Sequence, residues 1–198
     1  MKYMCVILAM LAFLISVNAD EPELEPLFNG TNFSGWQEPE NNIWWTIENG
    51  VLIGKSDPEQ KGSTLWTSKE YTDFILQLDF RFGSGDVDSG VFIRKEAEQI
   101  QIGISRSLKR DMTCAPYISG KGYPVEGVGV GAVLKQDDWN TMVIRAVGNI
   151  YTVTLNGQQV LEYPSLTATD KGPLGLQIHP NLDMQIAFRN ILIAELSS

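Results

Sequence analysis

The most regular hydrophobic pattern of the chain lies in Phe74–Phe82, where FILQLDFRF alternates between apolar and polar residues. Such alternation predicts a β-strand that turns one face toward a core and the other toward solvent. Shorter segments of the same character recur along the chain, and no long stretch keeps the period of an amphipathic helix. The other predicted strands are Trp45–Glu48, Val51–Lys55, Ser63–Thr67, Ser89–Arg94, Gln99–Ile104, Thr141–Val147, Ile150–Leu155, Gln158–Tyr163, Leu174–His179 and Ile186–Glu195.

Turn-forming residue pairs separate several of these segments. Asn49-Gly50, Gly148-Asn149 and Asn156-Gly157 are typical of tight hairpin turns. Many short antiparallel strands joined by such turns predict an all-β protein, either a sandwich or a jelly roll. Only the segment Ser105–Gln136 breaks the rhythm, and a loop of that length in a compact domain is usually functional.

The N-terminal residues predict a secretory signal peptide. Lys2 precedes the apolar run Cys5–Val17, which is too short to span a bilayer comfortably, and small residues lead up to a cleavage site after Ala19. An uncleaved membrane anchor is the alternative. We expect residues 1–19 to be removed, residues 20–26 to be a linker and residues 27–198 to form one domain. The expected location is therefore secreted or periplasmic, without stable membrane insertion after cleavage.

Charge narrows the range of partners. The 198 residues include 24 acidic and 15 basic side chains, which gives a formal net charge of −9. Binding to a phosphate backbone needs a basic patch, and the sequence contains none, so nucleic acid is excluded as a partner. One histidine and two cysteines also exclude a zinc site built from those residues.

Alternate residues of a strand point to opposite faces of its sheet, and we call this alternation strand parity. Strand parity assigns a group of polar side chains to the face that points away from the core. Carboxylate, amide, guanidinium and imidazole groups in this number are typical of a cleft that recognises a polyol. An ordinary solvated sheet face is the alternative. The predicted polar face consists of Asp79, Arg81, Asp88, Arg94, Gln99, Gln101, Gln177 and His179.

The chain also resembles a known family. Leu27–Gly30 (LFNG) and Phe33–Trp36 (FSGW) resemble the opening motif of the 3-keto-disaccharide hydrolase domain family, also described as 3-keto-α-glucoside-1,2-lyase/3-keto-2-hydroxy-glucal hydratase. The resemblance implies a single-domain, concanavalin A-like jelly-roll β-sandwich. It continues in order through Trp45–Leu52, Leu65–Thr67, Tyr71–Phe74, Ser89–Arg94, Asp138–Asn140, Leu155–Gly157, Gly172–His179 and Phe188–Ile191.

The resemblance implies an enzyme that cleaves 3-keto-glucosides or 3-keto-disaccharides. A ketone at C3 acidifies the hydrogen on C2, so one base can remove it and the C1 substituent can leave by elimination. Addition of water would complete a net hydrolysis. An ordinary glycosidase instead needs two carboxylates that flank the bond, and the E-x-D-x-x-E strand motif of jelly-roll glucanases is absent. The alternative function is a non-catalytic carbohydrate-binding β-sandwich.

The resemblance implies roles for individual residues. His179 would be the general base, Arg94 would stabilise the enolate, and Asp88 would be the second acid–base group, with Asp79 and Glu126 as alternatives for that last role. The sequence identifies no cofactor with certainty, and His179 with a carboxylate could hold a divalent metal. The predicted substrate-binding residues, for a small sugar or glycoside, are Gln99, Gln101, Gln177, Asp79, Arg81, Lys121, Tyr123 and Glu126.

Structural explanations compete with several of these roles. Arg94 could form a cross-strand ion pair with Asp79 or Asp88, and His179 could be a plain surface histidine. Trp66 and the pair Trp44-Trp45 could form a sugar-stacking platform or belong to the core. The chain also departs from the family pattern at Asp88, where the family usually has asparagine, and at Gln99, where it often has glutamate. A third departure is the segment Asp111–Glu126, which replaces the commoner middle loop of the family.

Overall fold

The computed structural model describes residues 22–196, so the predicted signal peptide lies outside the described residues. Within the described part a single helical turn, α1, spans Val130–Val133. The strands are β1 Glu25–Pro26, β2 Trp36–Gln37, β3 Trp45–Glu48, β4 Val51–Lys55, β5 Ser63–Thr67, β6 Phe74–Gly85, β7 Asp88–Ile93, β8 Glu98–Ser105, β9 Arg110–Asp111, β10 Pro116–Ile118, β11 Asn140–Val147, β12 Ile150–Leu155, β13 Gln158–Pro164, β14 Leu174–Ile178 and β15 Met184–Glu195.

The strands form two antiparallel sheets that enclose one hydrophobic core. The first sheet has eight strands in the order β13-β12-β11-β6-β15-β4-β3, with β1 paired to β15. The second sheet has seven strands in the order β10-β8-β7-β14-β5-β2, with β9 paired to β8. The predicted all-β jelly-roll sandwich is therefore confirmed. No helix among the described residues is long and apolar enough to cross a membrane.

Side-chain alternation explains why these segments are strands. In β6 the rings and side chains of Phe74, Leu76, Leu78 and Phe80 are fully buried, as the period of two predicts. Phe82, on the same parity, is only half-buried because it lies near the end of the strand, where its ring packs edge-on against Phe80. The core therefore lies between the two sheets, lined by one parity of each strand.

The predicted hairpin turns have the backbone conformation that their residues favour. Asn49 and Gly50 have φ values of 52° and 80°, and Asn156 and Gly157 have φ values of 49° and 85°. Positive φ at both central residues is what a two-residue type I′ turn requires, and asparagine followed by glycine adopts it most readily. These turns fix the register of β3 with β4 and of β12 with β13.

Two segments that were predicted to lack regular structure contain short strands. The expected linker, residues 20–26, ends in β1, where Glu25 and Pro26 pair with Ile193 and Leu192 of β15. The long segment Ser105–Gln136 contains β9, β10 and α1, and its two strands pair with β8 at the edge of the second sheet. The long segment is thereby held at the edge of that sheet, next to β8.

One carboxylate is buried on the core side of β8. Glu98 accepts hydrogen bonds from Tyr151, Ser165 and Thr167 and forms an ion pair with Lys95 at 3.1 Å. Burial alone would raise the pKa of Glu98, but these partners outweigh burial and hold the pKa below its usual value. Glu98 thus fastens the β12–β13 hairpin and the segment after it to the second sheet, away from its polar face.

Candidate functional site

A cavity of about 670 Å³ lies on the outer face of the second sheet, the face turned away from the core. Strands β7, β8 and β14 form its floor, because the polar parity of each strand points outward while the apolar parity enters the core. The long segment after β8 forms one wall. The lining residues are Asp88, Phe92, Glu96, Ala97, Gln99, Ser105, Arg106, Ser107, Tyr117, Ser119, Tyr123, Gln177 and His179.

An aromatic row crosses this face. Five residues stand opposite one another on the neighbouring strands β10, β8, β7, β14 and β5, and three of them are aromatic. In that strand order they are Tyr117, Gln99, Phe92, Gly175 and Trp66. The rings of Trp66 and Phe92 stack with centroids 5.3 Å apart and planes at 25°. Gly175 permits this stacking, because a Cβ atom there would lie 2.7 Å from the Trp66 ring. The row offers flat apolar surface beside the polar part of the cavity.

A chain of hydrogen bonds links three polar side chains on the cavity floor. The backbone N–H of Arg106 donates to Asp88 Oδ2 at 2.8 Å, and Gln101 Nε2 donates to Asp88 Oδ1 at 2.7 Å. Gln99 Nε2 in turn donates to Gln101 Oε1 at 2.9 Å. All three side chains are almost inaccessible to solvent. We call this set, Asp88–Gln101–Gln99, the floor relay.

Two amide oxygens at the cavity are buried without a hydrogen-bond partner. They are Gln99 Oε1, at the end of the floor relay, and Gln177 Oε1 on β14. A buried polar atom without a partner is costly, so such atoms commonly mark a place where a ligand completes the bonding. Both atoms are acceptors, and hydroxyl groups of a sugar are suitable donors.

His179 lies just after β14 and lines the cavity. Its Nδ1 is 2.7 Å from the carbonyl oxygen of Pro180, which can only accept a hydrogen bond. Nδ1 must therefore carry the proton, and in the neutral ring Nε2 is left with a free lone pair. This tautomer makes Nε2 the atom that can accept a proton from a ligand.

Two further groups can supply hydrogen-bond donors to a ligand. Burial raises the pKa of Tyr123 to about 12, so its phenol remains protonated at neutral pH. Its ring lies 5.2 Å from that of Tyr117. Arg106 lines the same cavity, and none of the ion pairs within residues 22–196 includes it. The cavity therefore combines one free imidazole nitrogen with a phenol and a cation.

The predicted polar face is corrected at Asp79 and Arg81. Both residues lie on β6, which belongs to the first sheet, whereas the cavity lies on the second sheet. Asp79 accepts hydrogen bonds from Thr141, at 2.6 Å, and from Asn190, at 2.7 Å. Arg81 instead packs on the Trp139 ring, 4.8 Å from its centroid. Parity gave the correct side of the strand but not the sheet to which the strand belongs.

Arg94 is also corrected, because its side chain is fully buried outside the cavity. The guanidinium donates to the carbonyl oxygens of Gly148 at 2.6 Å and Thr169 at 3.1 Å, and it pairs with Asp73 at 3.2 Å. Strand β7 ends one residue earlier, and Arg94 has a left-handed φ of 60°. That backbone turn removes Arg94 from the alternation of β7 and directs its side chain into the protein.

Two residues of the long segment do not reach the cavity either. Lys121 is exposed, and its backbone N–H donates to the Ile118 carbonyl oxygen. Glu126 forms a bidentate ion pair with Arg110, at 2.6 and 2.7 Å, which holds the pKa of Glu126 below its usual value. Glu126 lines a separate cavity of about 400 Å³ instead. The structure thus brings together Asp88, Gln99, Gln177, His179 and Tyr123, with Gln101 beneath them.

A comparison of the sequence with protein families fits this geometry. The 3-keto-alpha-glucoside-1,2-lyase-like domain matches residues 23–194. The chain belongs to this family. The match spans nearly all of the described residues, which confirms the family resemblance found in the sequence motifs. The chain is accordingly a carbohydrate-active, glycosyl hydrolase-like domain. No curated protein matches it.

Solved structures share the fold of this 3-keto-alpha-glucoside-1,2-lyase-like domain. A candidate glycosyl hydrolase of Parabacteroides distasonis is 26% identical, with a TM-score of 0.67 over 88% of this chain and 100% of that one. A β-glucanase of Bacillus licheniformis is 14% identical, with a TM-score of 0.59 over 90% and 100%. The carbohydrate-binding module CBM66 of Bacillus subtilis is 18% identical, with a TM-score of 0.50 over 81% and 95%.

The donor set of this lyase-like domain does not fit a protein-bound divalent metal. The described residues contain no group of three or more histidine, cysteine, aspartate or glutamate side chains that could hold one. Asp88, the carboxylate on the floor of the same cavity as His179, already accepts a hydrogen bond at each oxygen.

Several cavity residues of the lyase-like domain were not predicted individually. Arg106 and Tyr117 lie in the long segment Ser105–Gln136, which the sequence indicated as functional only as a whole. The alternation of β7 places Phe92 on the outward face with Asp88, but alternation alone gives an apolar side chain no role in a polar cleft. For Glu96, on the turn between β7 and β8, no sequence signal distinguishes it from a surface residue.

Proposed function

We propose that the cavity binds a 3-keto-glucoside and that His179 Nε2 removes the proton from C2 of the sugar. The observation that carries this proposal is the hydrogen bond between His179 Nδ1 and the Pro180 carbonyl oxygen, because it fixes the tautomer in which Nε2 is basic. A small number of convergent polar groups in a concave site is the usual form of an enzyme active site.

The proposed reaction is a β-elimination. The C2–H bond breaks, the proton moves to His179 Nε2, and the electron pair forms an enolate across C2, C3 and the ketone oxygen. The enolate then restores the C3 ketone while a C1–C2 double bond forms and the C1–O bond breaks. The departing oxygen takes up one proton, so that an alcohol and an unsaturated keto sugar result. Addition of water to the double bond would make the net reaction a hydrolysis.

The enolate oxygen needs donors, and Arg94 cannot supply one because its side chain is buried elsewhere. We assign that role to the Arg106 guanidinium and to the phenol of Tyr123, which stays protonated because its pKa is about 12. The phenol of Tyr117 and the carboxyl of Glu96, which also line the cavity, are candidates for protonating the leaving group. These assignments replace the roles that the sequence suggested for Arg94 and Asp88.

The sugar is held by the acceptors and the aromatic row. Gln99 Oε1 and Gln177 Oε1 would accept hydrogen bonds from ring hydroxyls, and Phe92 would pack against an apolar sugar face. The N-terminal sequence leads us to propose further that the protein is exported, with cleavage after Ala19.

A second candidate function is carbohydrate binding without catalysis. The stacked Trp66 and Phe92 rings favour it, since an aromatic platform can hold a sugar without any base. The fold likeness to a carbohydrate-binding module is compatible with it. The two candidates differ in whether the bound sugar is cleaved.

The proposed function is tested with residues 20–198 and two chromogenic glucosides that differ only at C3. We expect release of the chromophore from the 3-keto-glucoside and none above background from its unoxidised parent, because only the ketone acidifies C2. Addition of a chelator should leave the rate unchanged. Saturable binding of both sugars without release from either would instead support the carbohydrate-binding function.

A further inference from the structure

The orientation of the Gln99 amide follows from the direction of hydrogen bonds along the floor relay. The relay starts at the backbone N–H of Arg106, which can only donate, and this N–H is bonded to Asp88 Oδ2. The other carboxylate oxygen of Asp88 accepts from Gln101, so the Gln101 amide must point its NH₂ group toward Asp88. Gln101 Oε1 is thereby turned toward Gln99.

The same reasoning applies to the last member of the relay. Because Gln101 presents an oxygen, Gln99 must donate through Nε2, and the 2.9 Å contact has that direction. Gln99 Oε1 is then left buried and without a partner, on a residue that lines the cavity. Two members of the relay are amides that could otherwise be turned over, so the acceptor-only carboxylate of Asp88 decides their orientation.

We propose that Asp88 is a positioning residue that determines substrate specificity. Through Gln101 it makes Gln99 an acceptor, so the site recognises a sugar hydroxyl that donates there and rejects a group that can only accept. The C3 ketone oxygen must therefore lie elsewhere in the cavity, away from Gln99. This inference rests on the proposed function in one respect only, namely that the cavity holds a sugar.

Replacement of one carboxylate oxygen of Asp88 by an NH₂ group should reverse the direction of the hydrogen bonds between the side chains of the floor relay. In Asp88→Asn the amide must still give its oxygen to the Arg106 N–H, so its NH₂ group faces Gln101. Gln101 then turns its oxygen toward Asn at 88 and its NH₂ group toward Gln99. Gln99 in turn gives its oxygen to Gln101 and presents NH₂ to the cavity. The substitution converts an acceptor on the cavity floor into a donor without a change of size.

Gln177 supplies an internal control for this reversal. Its Oε1 is also buried without a partner at the cavity, but its side chain makes no hydrogen bond with any member of the floor relay. A hydroxyl recognised by Gln177 should therefore be recognised equally well before and after the substitution at Asp88.

The test measures binding by calorimetry with methyl α-glucoside and its four monodeoxyfluoro derivatives, in which one hydroxyl donor is replaced by fluorine. We expect the wild type to bind one derivative roughly tenfold or more weakly than methyl α-glucoside, namely the one that lacks the hydroxyl bonded to Gln99. In that complex Gln99 Oε1 has no hydrogen-bond donor. Asp88→Asn should remove that discrimination and leave the relative affinities for the other derivatives, including the one altered at the position read by Gln177, as they are in the wild type. The double variant Asp88→Asn/Gln99→Glu should restore the discrimination that Asp88→Asn removes. Gln101 can donate to one oxygen of the new carboxylate, and the other oxygen is again an acceptor for the sugar.

The inference is overturned if Asp88→Asn keeps the wild-type pattern or weakens all five sugars by the same factor, as a merely structural role would. Failure of the wild type to bind the unoxidised glucoside also overturns it. Should Asp88→Asn fail to fold, Gln99→Met must abolish the same discrimination with Asp88 intact. Binding needs no turnover, so a protein that discriminates as described but cleaves no 3-keto-glucoside keeps this inference and contradicts the proposed reaction.

Discussion

Replacement of His179 by asparagine should lower kcat on a 3-keto-glucoside by roughly 10²- to 10⁴-fold, the usual contribution of a general base. The amide nitrogen of asparagine can still donate to the Pro180 carbonyl oxygen, as Nδ1 does now at 2.7 Å. What the variant lacks is Nε2, the nitrogen that takes the proton from C2. Steady-state release of the chromophore measures the effect.

The asparagine variant separates catalysis from structure. We expect its melting temperature to match that of the wild type, because His179 is only half-buried and asparagine can still make the side-chain hydrogen bond to the Pro180 carbonyl oxygen. His179→Ala should show the same loss of kcat with a small loss of stability. Wild-type turnover in His179→Asn, with a defect confined to His179→Ala, would mean that the hydrogen bond to Pro180 is the only role of this residue.

Replacement of Arg94 by methionine should lower the free energy of unfolding by about 3–5 kcal/mol, the cost of breaking a buried ion pair from one side. The guanidinium is completely buried and bonds the carbonyl oxygens of Gly148 and Thr169 and the carboxylate of Asp73, and methionine would remove the guanidinium donor from all three. For a domain of this size the melting temperature should fall by about 6–20 °C. Thermal and urea unfolding measure both quantities.

Turnover in the same variant shows whether Arg94 touches the substrate. The activity of the folded fraction, measured well below the lowered melting temperature, should remain within about twofold of the wild type, because the Arg94 side chain lies outside the cavity. Arg94→Lys, which keeps the charge, should recover part of the stability. A kcat that falls by two orders of magnitude while the melting temperature is unchanged would restore Arg94 as the enolate-stabilising residue.

The strands could be predicted from the sequence because their information is local. Alternation and turn pairs determine segments such as Val51–Lys55 and Ile150–Leu155, whose predicted bounds are those observed. Strand β6 extends to Gly85, beyond the predicted end at Phe82, because Met184 of β15 continues to pair with it. That extension depends on a partner 99 residues away in sequence, which no local pattern contains.

The candidate site could be predicted only in part, for two physical reasons. Parity identifies the side of a strand but not its sheet, so Asp79 was grouped with Gln99 although their strands lie in different layers. Parity also fails where the backbone turns left-handed, as at Arg94. Conversely, Gln99, Gln177 and His179 were placed correctly on one face, since β8 and β14 flank β7 in the second sheet. Arg106 depends on the path of the long segment, for which periodicity gives no rule.

The most direct test of the account follows hydrogen exchange in a 3-keto sugar that has no exocyclic leaving group at C1. The probe is 1,5-anhydro-3-keto-glucitol in D₂O, observed by NMR, where C2 and C4 are both acidified by the ketone and C4 reports the uncatalysed background. The account predicts that the wild type accelerates exchange at C2 over C4 and that His179→Asn does not. Equal exchange at the two carbons, or the same acceleration at C2 in both proteins, would contradict proton abstraction by His179.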